Sequence, residues 1–455
     1  MLKIRRDREM SKELKKIVTG YLPDERPTTG KLILFALQQI LVMFPATVTV
    51  AILTGFHIST TIFASGLATL CFLLITKGKI PLYYGSSFSY IAAISGITGG
   101  TLIDGIAPDA AISQAQFGII MSGFVSIAAG LIVQKFGQEK IEKVLPPTIT
   151  GSIAIIIGLS LAGTAMTYSA GYENGTVIPS YWLVAIITLL ATVLFSVYLQ
   201  KGVLGQLPIL LGMIVGYIVS IPLGLIDFSK IVADGIFTTP HFTLPTPNLA
   251  AVFAIMPIAI ATIPESTAHL YQLDIYVNDL AKKKKSTKEY KIGDKLGLNL
   301  IGDGVGDIVS SMFGGPAGTN YGENISTMAI TRNFSVWVLG AAAVITIGIS
   351  FLAPLTNIVR SIPSPVINGA CIYLFGVIGV QGVAIMINKQ VDLFDSRNLA
   401  VIAVILIIGI GGSFGFPDGN IMITDTISVP AIATASIVGI FLNLLLNIGR
   451  KQEAQ

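Results

Sequence analysis

Apolar runs of about 20 residues recur from one end of this chain to the other, the length that spans a bilayer as an α-helix. A water-facing surface cannot be made from such runs, because a helix that is apolar all round has to be buried in protein or lipid. Composition agrees. Of 455 residues, 53% are hydrophobic and 12% are charged, whereas soluble domains carry roughly 25% charged residues. The chain therefore reads as an all-α polytopic membrane protein. Run length gives about 14 spans: 31–54, 60–76, 81–96, 113–134, 146–166, 181–199, 206–225, 249–272, 295–313, 319–331, 334–353, 363–387, 398–413 and 428–449. The third and tenth are short, rich in Gly and polar residues, and weak as ordinary helices.

Charge places the loops. The segment Met1 to Arg26 is polar and basic, with no apolar core before Leu32, so it reads as a cytoplasmic tail and not as a signal peptide. With that end inside, the inner loops carry Lys77 and Lys79, then Lys135, Lys140 and Lys143, then Lys201. Lys282 to Lys285 and Lys295, Arg332, Lys389 and Arg397, and Arg450 and Lys451 complete the set. The opposite loops carry Asp104, Asp109, Glu173, Asp227 and Asp418, with Lys230 and Arg360 as exceptions. This positive-inside pattern puts both termini in the cytoplasm. The basic residues sit in short loops, so the net charge of +4 is no nucleic-acid signal. A weak repeat relates the halves. Phe44-Pro45-Ala46-Thr47 matches Ile263-Pro264-Glu265-Ser266, Tyr84-Gly85-Ser86-Ser87 matches Tyr321-Gly322-Glu323-Asn324, and Pro146-Pro147-Thr148 matches Ile362-Pro363-Ser364-Pro365. Seven spans per half is an odd number, so the halves are expected to insert with opposite orientation. Matched broken segments in inverted halves mark a transporter binding site.

Ionisable residues inside apolar spans are costly and mark substrate or proton paths. Pro264-Glu265-Ser266-Thr267-Ala268-His269 puts a carboxylate and an imidazole one turn apart on one helix face, with Pro264 expected to loosen the helix locally. Glu323 lies in the Gly- and Pro-broken stretch 314–324. A half-helix beginning there would point free N–H groups at a cavity. Tyr83 to Tyr90 could do the same from the other repeat. Such groups suit a planar amide ring: carboxylates accept from its N–H, and backbone N–H groups donate to its C=O. Phe88, Tyr321 or Phe375 could contact that ring. Asp303 and Asp307, one turn apart, belong to a proton relay, hydrogen-bond the tenth span, or sit at the aqueous end. Gln38 and Gln39 either lend an amide to the cavity or join helices. Cys71 and Cys371 read as packing residues. Three histidines without a Cys/His cluster argue against a metal centre, and no cofactor is expected.

The stretch Tyr321-Gly322-Glu323-Asn324-Ile325-Ser326-Thr327-Met328-Ala329-Ile330-Thr331-Arg332 resembles the signature of the nucleobase–ascorbate transporter family. Glu323, Asn324, Thr331 and Arg332 match it, and Ser326 replaces its glycine. Met43 to Val48, Gly85-Ser86-Ser87-Phe88, and the Glu265 and His269 pair resemble further family motifs, with Pro45 where Gly is common. Glu323, rather than Gln, resembles the uracil branch more than the xanthine branch. The resemblance implies 14 spans in two inverted repeats of seven, with short extended stretches in spans 3 and 10. It implies an N-terminal tail (1–30), a core domain (31–134 and 248–355), a gate domain (135–247 and 356–449) and a C-terminal tail (450–455). It also implies proton-coupled import of uracil by alternating access at the cell membrane, and homodimers in lipid. Glu265 and Glu323 would contact the base through side chains, Phe88 and Gly322 through backbone amides. Ala46 would line the site and His269 would reach Glu265 or a water. Read from the residues themselves, Tyr321 is a further substrate contact, and Glu265, His269 and Asp303 are the proton-coupling candidates. Phe375 stands where that pattern often has Tyr. A purine–proton symporter for xanthine or urate is the alternative. An anion transporter of similar architecture would want a basic residue at the site, and a membrane enzyme a nucleophile–base pair or metal ligands.

Overall fold

The computed structural model describes residues 20–99, 105–137, 143–172, 175–199, 204–231, 235–416, 419–424 and 427–448. The tail residues 1–19 and the loop charges Asp104, Lys140, Glu173, Lys201, Asp418, Arg450 and Lys451 lie outside them.

The first half runs α1 (Thr29–Thr54), α2 (Ile58–Ile75), strand β1 (Tyr84–Ser86), a 3₁₀ turn (Phe88–Tyr90) into α3 (Ile91–Thr98), and α4 (Asp109–Phe136). Then come α5 (Pro147–Ser160), α6 (Ala162–Ala170), α7 (Pro179–Tyr198) and α8 (Pro208–Ser220). The second half runs α9 (Leu249–Ile255), α10 (Ile258–Lys283), α11 (Leu296–Met312), strand β2 (Gly318–Asn320), α12 (Gly322–Thr331) and α13 (Val336–Ile349). It closes with α14 (Ala353–Arg360), α15 (Ser364–Asn388), α16 (Ser396–Gly415), a hairpin of β3 (Asn420–Thr424) and β4 (Ile427–Pro430), and α17 (Ala431–Leu446). Among the described residues, eight helical segments are long and apolar enough to cross a membrane.

Two groups of helices emerge from the packing. In one, α4 lies along α11, and α2 lies against α11 and α13. Small residues bring these backbones together: a Cβ on Gly123 would sit 2.5 Å from the Gly304 carbonyl oxygen, and one on Gly130 would sit 2.6 Å from that of Gly297. Close approach of this kind is how helices associate where lipid removes the hydrophobic drive. In the other group, α15 packs on α5, α6 and α7, α8 on α7, and α16 on α5 and α17. The apolar clusters are rich in branched residues, such as Ile112, Ile119, Ile149, Ile153 and Ile255.

Within the first group the two strands pair antiparallel, Tyr84 with Asn320, Gly85 with Thr319 and Ser86 with Gly318. Each strand is short because a helix follows at once. Extended backbone survives among the helices because the partner strand takes its hydrogen bonds, including Ser87 N–H to the Ala317 carbonyl at 2.9 Å and Tyr321 N–H to that of Tyr83 at 3.0 Å. The Tyr321 ring fills the space over Gly85, where a Cβ would lie 2.3 Å from the ring. The Tyr321 hydroxyl donates to the Ser86 carbonyl at 2.9 Å and shares a 2.9 Å bond with Thr47 of α1.

The observed elements depart from the sequence reading in three places. First, α10 continues through Pro264, and the interruption falls at Met256–Pro257, between α9 and α10. One missing N–H leaves the neighbouring turns intact. Second, α10 runs to Lys283, well past the apolar run ending at 272, because Leu270, Leu273, Val277 and Leu280 stay buried at helical spacing. Third, residues 420–424 and 427–430 pair as β3 and β4 where a loop and the start of a span were expected. Ile421, Met422, Ile423 and Val429 make an apolar, strand-favouring pair of runs too short to register as a span.

Candidate substrate site

Both strand–helix junctions aim helix starts at one region. At the first, Ser87 Oγ accepts from the Ser89 N–H at 3.3 Å, capping the 3₁₀ turn. At the second, α12 begins at Gly322 and its N-cap residue, Tyr321, makes no side-chain cap. The first N–H groups of α12 are thus left by their own helix for another partner, and they carry partial positive charge. Glu323 stands in that first turn.

Helix α10 supplies the other wall. Glu265 and His269 lie one turn apart on it, and the Ser89 hydroxyl donates to Glu265 Oε2 at 3.3 Å. The His269 ring presses against the start of α12: a Cβ on Gly322 would lie 2.8 Å from Nε2, so glycine is what admits the ring. His269 Nδ1 is buried and has no hydrogen-bond partner among the described residues. No bond joins His269 to Glu265 there either. From the second helix group Phe375 of α15, itself buried, comes edge-on to Phe88 with ring centres 6.5 Å apart. Glu323 is exposed, and Glu265 and His269 are half-buried. The two carboxylates are close enough for the charge of Glu323 to act on Glu265, and the His269 ring and the Phe88–Phe375 pair lie beside them.

A closed ring of hydrogen bonds braces this wall from behind. Asn320 Nδ2 donates to Asp303 Oδ1 at 2.7 Å and to Asn299 Oδ1 at 3.2 Å. Asn299 Nδ2 donates to Ser266 Oγ at 2.6 Å, and the Ser266 hydroxyl donates to Asp303 Oδ2. Asp307 Oδ1 accepts from the Tyr84 hydroxyl at 2.5 Å and from the Gly318 N–H at 2.8 Å. The two aspartates thus fasten α11 to β1, β2 and α10. Beside them lies a cavity of about 10 Å³, lined by Ser126, Thr262, Ser266, Asp303, Asp307 and Thr319 among others, with room for about one water.

Comparison with known proteins places this arrangement. A family model for xanthine and uracil permeases, described as a permease family, matches residues 30–418. A uracil permease of Bacillus caldolyticus is 39% identical over 95% of this chain and 95% of its own length. Those of Bacillus subtilis and Escherichia coli K12 are each 34% identical, covering 94% and 93% of this chain and 95% and 93% of their own. The chain belongs to the nucleobase–ascorbate transporter family. Solved structures agree in fold. The anion-family protein SLC26A9 superposes with a TM-score of 0.64 at 12% identity, covering 93% of this chain and 66% of its own. The transmembrane domain of the cyanobacterial bicarbonate transporter BicA gives 0.54 at 14%, covering 91% of this chain and 97% of its own.

In this permease the residues expected at the site divide. Glu265, His269, Phe88, Gly322 and Glu323 come together around the strand pair. Ala46 is buried beside them in the α1 wall. Tyr321 is 4% exposed, with ring and hydroxyl both engaged, so its side chain is a packing element. Asp303 and Asp307 are buried and bonded to the β2 segment, which excludes the aqueous end. Gln39 joins helices, its Oε1 accepting from Asn324 Nδ2 at 2.7 Å, while Gln38 Oε1 is buried without a partner among the described residues. Ser89, Ser266, Asn299 and Asn320 were missed. Each is a small polar residue in an apolar surround, and only the fold tells which of them meets a carboxylate.

Proposed function

We propose that this permease imports uracil together with a proton, by alternating access, across the cell membrane with both termini in the cytoplasm. The carrying observation is that Glu265, Glu323 and the uncapped start of α12 lie close together beside the Phe88 turn. A uracil ring offers N–H groups to the two carboxylates and C=O groups to the backbone N–H of Gly322 and Phe88. The relatives named uracil permease support that choice of base. The proton is carried by Glu265 with His269 beside it, since two carboxylates facing one cleft resist being charged together. Asp303, whose two oxygens are already engaged by Ser266 and Asn320, takes the positioning role behind Glu265.

In this reading the α1–α4 and α9–α13 group is the core that holds the base, and the group containing α5–α8 and α15–α17 is the gate it moves against. The two halves would be inverted seven-span repeats, to which the antiparallel strands and matched junctions lend support. Two copies side by side in lipid belong to the same reading. Each inward proton releases about 2.3 kcal/mol per 100 mV of membrane potential, enough for about 50-fold accumulation. The test is uptake of labelled uracil in cells lacking their own permease. We expect uptake that a protonophore abolishes and excess xanthine leaves unchanged. Full competition by xanthine would move the assignment to a purine, and absence of uracil uptake by inserted protein would overturn it.

A further inference from the structure

Two of the three histidines in the chain meet at the end of the molecule away from the Glu25–Lys284 ion pair. His57 occupies the turn between α1 and α2, at the N-cap of α2. Asp109 is the first residue of α4. His241 lies on the segment that links α8 to α9. Its Nε2 is 2.9 Å from Asp109 Oδ2, while His57 Nε2 is 3.7 Å from Asp109 Oδ1, and the two ring centres are 4.4 Å apart. One ligand atom from each of the three residues falls within 4.8 Å of the others. Zinc bonds to imidazole nitrogen and carboxylate oxygen are about 2.0–2.2 Å, so two ligands at a tetrahedral angle sit roughly 3.3–3.5 Å apart. The observed 2.9 and 3.7 Å straddle that span, and the third pair, His57 with His241, lies within 4.8 Å, so local side-chain adjustment would seat an ion.

The surroundings favour a built site over a chance meeting. His57 Nε2 is buried and makes no hydrogen bond among the described residues, leaving a nitrogen lone pair or proton unsatisfied. The His57, His241 and Asp109 side chains are 20%, 51% and 59% exposed, so water and ions reach the open side. All three segments are pinned in place. The Thr60 hydroxyl donates to the His241 carbonyl at 2.7 Å, the Ala107 N–H to that of Gly55 at 2.8 Å, and the Thr243 hydroxyl to Gln116 Oε1 at 2.8 Å. Arg360 is close enough for its charge to act on His57, and the Asp109 carboxylate opposes that repulsion of a cation. Donors of this kind, two imidazoles and one carboxylate, suit a divalent transition ion of the zinc class and leave a fourth position for water.

We propose that His57, Asp109 and His241 form a binding site for such an ion, and that the ion clamps the α8–α9 linker to the α1–α2 turn and the start of α4. Because α8 belongs to one helix group and α9 to the other, the linker must give when the groups move past each other. A clamped linker therefore slows transport. The binding stands independently of the substrate; only the clamp rests on the alternating-access reading above.

The test uses purified full-length protein, stripped with EDTA, titrated with zinc by calorimetry and with cobalt by visible absorption. We expect one saturable zinc ion per chain and cobalt bands of four-coordinate intensity, both lost in His57→Ala and His241→Ala, and weakened in Asp109→Asn. Uracil uptake by His241→Ala without added metal should match the parent protein, showing that the variant is folded. Absence of saturable binding, or binding that survives both histidine replacements, would overturn the site. Zinc should also inhibit uptake by the parent but not by His241→Ala; binding without inhibition would overturn the clamp alone.

Discussion

Replacing Asp303 separates a bracing role from a proton-carrying one. In Asp303→Ala the Ser266 hydroxyl loses its acceptor and Asn320 Nδ2 loses the shorter of its two bonds. Buried donors left short of an acceptor cost about 1–3 kcal/mol each, giving about 2–6 kcal/mol for the two. The adjoining cavity of about 10 Å³ lets a water enter the vacated space, which draws the cost toward the lower end. Asp303→Asn is different. The amide still accepts from Ser266, and Asn320, whose Oδ1 is buried without a partner, can turn its own amide to accept in return. At most one bond is lost, at about 1 kcal/mol. Thermal unfolding in detergent, followed alongside uptake driven by an imposed pH gradient, reads both quantities. We expect Asp303→Ala to unfold at clearly lower temperature and Asp303→Asn to stay close to the parent and retain proton-driven accumulation. An Asp303→Asn protein that is stable but no longer accumulates would show that Asp303 carries the proton, refuting the bracing role.

Three further changes have expected outcomes. Glu323→Gln removes one charge-assisted bond to the base, about 1.5–3 kcal/mol, so the uracil dissociation constant should rise about 10–150-fold; unchanged affinity would remove Glu323 from the site. Gly85→Ala would place a Cβ 2.3–2.7 Å from Tyr321 atoms that Thr47 and Ser86 hold in place. Overpacking of about 1–3 kcal/mol should lower thermal stability and be partly relieved by adding Tyr321→Ala, whereas parental stability in Gly85→Ala would show the ring free to move. Glu25→Gln breaks the 2.6 Å pair with Lys284, whose side chains are 39% and 22% exposed. Such a pair contributes about 0–1 kcal/mol, so a larger loss of stability would mean that Glu25 organises the segment before α1 through its bond to the Leu22 N–H.

Much of the helical architecture is legible in the chain because lipid imposes a simple demand: about 20 apolar residues per crossing. The junctions at Tyr84 to Phe88 and at Gly318 to Glu323 were visible as breaks for the converse reason. Glycine and polar residues inside apolar runs need a protein partner for their backbone, and here each strand supplies it for the other. What escaped the sequence depends on long-range geometry. Pro264 was expected to loosen its span locally, yet the helix runs through it and the chain breaks at Met256–Pro257, since proline alone does not say whether neighbouring turns hold. The last turns of α10 were hidden because a polar face masks the stripe of Leu270 to Leu280. The pairing of Glu265 with Ser89, the Asp303 ring and the meeting of His57 with His241 join residues 176, 17–37 and 184 positions apart. No local spacing records such contacts.

Glu265 as the proton carrier is tested most directly by Glu265→Gln reconstituted in vesicles. Labelled uracil is followed first in exchange against internal unlabelled uracil, then in accumulation driven by an imposed inward proton gradient. A permanently neutral side chain at this position should preserve exchange and abolish accumulation. Accumulation by Glu265→Gln at the level of the parent protein would contradict the assignment of the coupled proton to Glu265.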